Sequence, residues 1–124
     1  DFGFYDPTPT AVTLSNFWST LGSGSILLHW ETATELDNLG FYIERAESIT
    51  GPHTRLNDDM IPSLAPGSLI GANYEFEDNA VAPGITYYYW LITVDTHLRT
   101  ATYGPISQRL GTGTYSVYLP LVDR

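Results

Sequence analysis

Short runs of alternating apolar and polar residues recur along this chain, separated by clusters of Gly, Pro, Asn and Asp. That two-residue period constrains the fold more than any other feature, because successive side chains of a β-strand point to opposite faces. Helical periodicity is almost absent. Strands at this spacing, with turn signals between them, predict an all-β sandwich or barrel. Seven candidate strands cover 12–19, 25–31, 41–46, 54–56, 74–77, 86–94 and 100–107, and an eighth apolar stretch covers 115–122 beyond the glycines Gly111 and Gly113. One helical turn is expected between the second and third strands. Thr32 and Glu35 have the spacing of a capping box, and Gly40 is placed to end the turn in a left-handed conformation. The longest irregular segment covers 57–71.

With 124 residues the chain has room for one domain. It is 43% hydrophobic and 14% aromatic, which excludes a disordered chain. No apolar run approaches the roughly 20 residues of a membrane-spanning helix. The net charge of −9 argues against a nucleic-acid partner, since phosphate binding needs a basic surface. The basic residues are all arginine, so lysine Schiff-base chemistry and lysine phosphate loops are excluded. The absence of cysteine removes disulfides, thiolate metal sites and cysteine nucleophiles. The chain starts at Asp1 without a basic and apolar leader, which fits either a trimmed piece or a mature secreted protein.

Candidate chemistry is sparse. Glu75, Glu77 and Asp78 form one acidic grouping, and Asn57, Asp58 and Asp59 another. Neither matches a twelve-residue calcium loop, and both read as solvated charge. His29, His53 and His97 stand apart, without metal-ligand spacing. No nucleophile elbow is present. The chain is therefore expected not to be an enzyme and to need no cofactor or metal.

The run Val81-Ala-Pro83-Gly84-Ile-Thr-Tyr87 resembles the turn before the sixth strand of fibronectin type III domains, with Tyr87 in the place of the tyrosine corner. Trp30 on the second strand matches that family's core tryptophan. The resemblance covers about 12–110. It implies a fibronectin type III-like (immunoglobulin-like) antiparallel β-sandwich of about seven strands, with 115–122 as an extra C-terminal strand. The segments Trp30–Arg45, Gly51–Leu56 and Tyr87–Tyr89 are similar to such modules in secreted and surface proteins of Chloroflexi-type bacteria, and Val117–Val122 is similar to C-terminal tails from the same bacteria. By resemblance the protein is extracellular and non-catalytic.

Three parts follow: an N-terminal extension over 1–11, the domain over 12–110, and a glycine linker with an apolar strand over 111–124. The sixth candidate strand is apolar on both faces. Tyr87, Tyr89 and Leu91 should face the core, whereas Tyr88, Trp90 and Ile92, with Tyr42 beside them, form an outer aromatic face that needs a cover. The ends are apolar too: Phe2, Phe4 and Tyr5 in front, and Val117, Tyr118, Leu119 and Leu121 behind. Together these residues predict a structural subunit that assembles with copies of itself into a surface filament or layer, by strand addition and through the aromatic face. The alternative is a monomeric adhesion or carbohydrate-binding module, with a polysaccharide stacked on Tyr42, Tyr88 and Trp90.

Overall fold

The structure is a computed structural model and describes residues 12–111. Eight strands follow one another: β1 (Thr13–Leu21), β2 (Ile26–Thr34), β3 (Asn38–Ala46), β4 (Thr54–Arg55), β5 (Ile61–Pro62), β6 (Asn73–Asp78), β7 (Thr86–Asp95) and β8 (Thr100–Arg109). One sheet has the order β1-β2-β6. The other has the order β4-β3-β7-β8, with β5 also paired to β3. Every pairing is antiparallel.

The two-residue period sets which side chains lie between the sheets. Ile26, Leu28 and Trp30 of β2 face Phe41 and Ile43 of β3 and Tyr87, Tyr89 and Leu91 of β7 in one buried cluster. Each large side chain so buried is worth about 1.5–3 kcal/mol. A slip of one residue in β2 would drive His29 and Glu31 inward, so the register is strongly specified. Trp30 lies parallel to Tyr74, with 5.3 Å between ring centroids, while Phe41 meets both rings edge-on. At the turn into β7, the Ala82 N–H donates to Tyr87 Oη at 2.9 Å, and Gly84 adopts φ 84°. The Gly84 N–H donates to the Leu110 carbonyl at 3.0 Å, which ties the turn to the end of β8.

The expected helical turn does not form. β2 runs on to Thr34, Glu35 makes an isolated bridge with Ser68, and β3 begins at Asn38. The backbone groups that a cap would satisfy are met from far along the chain. Thr32 N–H donates to the Ala72 carbonyl, Glu35 N–H to the Ser68 carbonyl, and Gly67 N–H to the Glu35 carbonyl. Gly40 lies inside β3 instead of ending a helix. The β5 backbone crosses so close that a Cβ there would collide with the Ile61 carbonyl. The segment 57–71 accordingly holds a two-residue strand.

Strand 115–122 and the extension 1–11 lie outside the described residues. So do Phe2, Phe4, Tyr5, Val117, Tyr118, Leu119 and Leu121, each expected at an interface. No helix among the described residues is long and apolar enough to cross a membrane.

Candidate functional site

The three-residue arch between β2 and β3 carries Glu35 into the interior, where its side chain is fully buried. Four donors converge on the carboxylate. Tyr74 Oη and Ser63 Oγ donate at 2.6 and 2.5 Å, Thr32 Oγ1 at 2.7 Å and Asn38 Nδ2 at 2.9 Å. Burial pushes this carboxyl upward, but the four donors outweigh it and hold the group below its ordinary value of 4.5. Tyr74 is pushed up to about 12, first by burial and then by its bond to the Glu35 carboxylate. A buried carboxylate with its lone pairs filled is a strut between segments; it has no free acceptor to offer a substrate proton.

Asp78 and Glu77 are engaged in the same way. Asp78 takes two bonds from Arg45 Nη1, at 2.9 and 3.0 Å, and one from Tyr89 Oη at 2.7 Å. Burial and that bond raise Tyr89 well above the ordinary tyrosine range. Glu77 accepts from Ser25 Oγ at 2.8 Å. Asn57 accepts the Ile43 N–H and donates to the Phe41 and Asp59 carbonyls, pinning its loop to β3. Both acidic groupings thus include residues that hold the fold, and Asp78 is buried, contrary to the reading as solvated charge.

Asp37 of the arch, with Asp95 and His97 at the turn between β7 and β8, brings three possible metal ligands within 4.8 Å of one another. Their oxygens are already committed. Asp95 Oδ1 accepts the N–H groups of His97 and Arg99, and Oδ2 accepts Arg99 Nε, all at 2.8 Å. Burial raises the Asp95 carboxyl, but these bonds prevail and hold it low. Thr96 Oγ1 donates to Asp37 Oδ1, so the cluster closes this turn onto the arch.

The aromatic face of the larger sheet exists as the alternation implies. Trp90, Ile92 and Ala46 form a second buried cluster, with Tyr42 and Tyr88 packed against it. Its accessibility differs from the expectation. Trp90 and Ile92 are only 7% and 6% exposed. The His53 ring lies on Trp90 at 3.9 Å between centroids, and the Arg55 guanidinium lies 4.0 Å over the Tyr42 ring. Glu44 binds both covering groups, His53 Nδ1 at 3.0 Å and Arg55 Nη2 at 3.4 Å. The chain itself thus covers one ring face each of Trp90 and Tyr42, two of the three rings on which a sugar would have to stack. Trp90 and Ile92 are likewise too buried to present the broad apolar contact expected for a second copy. The sequence pointed to the rings but not to their cover, because His53 and Arg55 lie just before and on the short polar strand β4, which has no apolar pattern.

Trp30 lies in the core, and Pro83, Gly84 and Tyr87 lie at the turn and first residues of β7. No family model and no curated protein sequence matches the chain. A solved structure does match. The crystal structure of a Fn3-like protein from Clostridium thermocellum aligns with a TM-score of 0.58 at 18% identity, over 90% of this chain and 96% of that one.

Proposed function

From the premise of a fibronectin type III-like β-sandwich, we propose a non-catalytic structural module: an extracellular subunit that assembles with copies of itself by strand addition. The observation that carries the non-catalytic part is the engagement of Glu35, Asp78 and Asp95, which are saturated by donors from the chain's own backbone and side chains. For assembly, the support is the open edges. β1, β6 and β8 each have one neighbour in their sheets among the described residues, so each offers a row of unpaired backbone groups. The apolar run Val117–Val122 has the composition of a strand that could fill such an edge on the next copy. The aromatic face plays a smaller part in this reading than its composition suggests, because Trp90 and Ile92 are already buried.

Light scattering and electron microscopy test the proposal on the full chain and on a version ending before residue 114. The full chain should form particles larger than a monomer, and the shortened chain should be a folded monomer. A monomeric full chain at high concentration overturns the proposal, as do filaments that survive the truncation.

A further inference from the structure

The outer face of the three-stranded sheet carries a groove that the assembly proposal leaves unused. The register sets Trp18, His29 and Glu75 in one row across β1, β2 and β6, with Glu31 and Asn73 in the adjacent row. Directly opposed residues share a face, with Cβ atoms about 5 Å apart. The Trp18 and His29 rings are stacked, 5.2 Å between centroids and 15° between planes. A bond of 2.7 Å between Thr20 Oγ1 and His29 Nε2 steadies the imidazole. Beside these rings opens a cavity of about 250 Å³, lined in part by Trp18, His29, Glu31, Asn73 and Glu75.

Two properties of the groove select its ligand. Among the described residues, Glu31 and Glu75 have no ion-pair partner, and no arginine stands on β1, β2 or β6. The Trp18 ring next to them meets His29 with one face only, and the quadrupole of an indole attracts positive charge to the other. Carboxylates accept charge-assisted hydrogen bonds from the same kind of group. A neutral polyol would leave both carboxylate charges uncompensated. The volume suits a group of side-chain size rather than an extended molecule.

We propose that this groove binds an organic cation, a guanidinium or alkylammonium group on a short apolar stem. The ring pair holds the stem and the cation's face, and Glu31 and Glu75 hold its N–H groups or its charge.

Trp18 reports on binding, because Trp30 and Trp90 are 0% and 7% exposed. The titration uses N-acetyl-arginine amide as the probe for a peptide side chain and choline as the probe for a free small molecule. Saturable quenching or enhancement by either supports the proposal, and the tighter probe identifies the source. The double variant Glu31→Gln, Glu75→Gln should weaken binding about tenfold or more without changing the circular dichroism spectrum. Added salt should weaken it as well. The proposal is overturned by the absence of saturation with both probes, by an equal response to the neutral citrulline amide, by unchanged binding in the double variant, or by a response to cellobiose alone.

Discussion

Replacing Glu35 tests most directly how this sandwich is held together. In Glu35→Ala, four donors lose their acceptor at once. Two of them have somewhere to turn: Thr32 Oγ1 lies 3.3 Å from the Ala72 carbonyl, and Ser63 is only half-buried. The other two do not. Tyr74 is 7% exposed and Asn38 1%, and the Asn38 Oδ1 atom already lacks a partner among the described residues. Each stranded donor costs about 1–3 kcal/mol, and removing the carboxylate's own desolvation returns part of that. The net loss is about 2–4 kcal/mol. For a body of about 100 residues, this lowers Tm by about 10–25 °C. Glu35→Gln keeps the shape and one acceptor oxygen, and should cost roughly half as much.

A pH series separates charge from shape. The folded-state pKa of Glu35 lies below its unfolded value of 4.5, so the charged form's contribution is complete above that value. It is lost as the pH falls through the folded value. Urea midpoints of the native chain and of Glu35→Gln should therefore differ at neutral pH and draw together as the pH falls below 4.5. A gap that stays constant across this range, or a Glu35→Ala variant within about 0.5 kcal/mol of the native chain, refutes the reasoning.

At the opposite end of the pH scale, Tyr74 keeps its proton up to about 12 in the folded chain, whereas an unfolded tyrosine releases it near 10.0. The unfolded state gains from each step above pH 10, so stability should fall steadily from there toward pH 12. Absorbance of tyrosinate should rise together with loss of folded-state circular dichroism. Asp78→Ala leaves the Arg45 guanidinium and Tyr89 Oη without their shared acceptor, with Arg45 only 16% exposed at its side chain. The expected loss is about 3–5 kcal/mol by chemical denaturation, and a loss under 1 kcal/mol would show that Arg45 re-pairs with solvent.

Much of the architecture was legible in the residues themselves. The alternation in Ile26–Trp30 assigns an inner face without knowledge of any partner strand, whereas Tyr87–Leu91, apolar on both faces, needed the resemblance at Pro83-Gly84 and Tyr87 to choose one. Those features are local, and a two-residue period is visible in any short window.

What the tertiary structure alone decided are the polar roles. Thr32 and Glu35 carry a spacing that serves a helix cap equally well. They became part of a buried polar strut because Ser63 and Tyr74, far along the chain, bring hydroxyls to the same carboxylate. The aromatic rings of the outer face acquired their cover from His53 and Arg55, which reach them only because β4 pairs with β3. Apolar side chains need only to leave water, so their pattern along the chain suffices to place them. A buried polar group needs particular partners at particular distances, and those are set only when the strands have met.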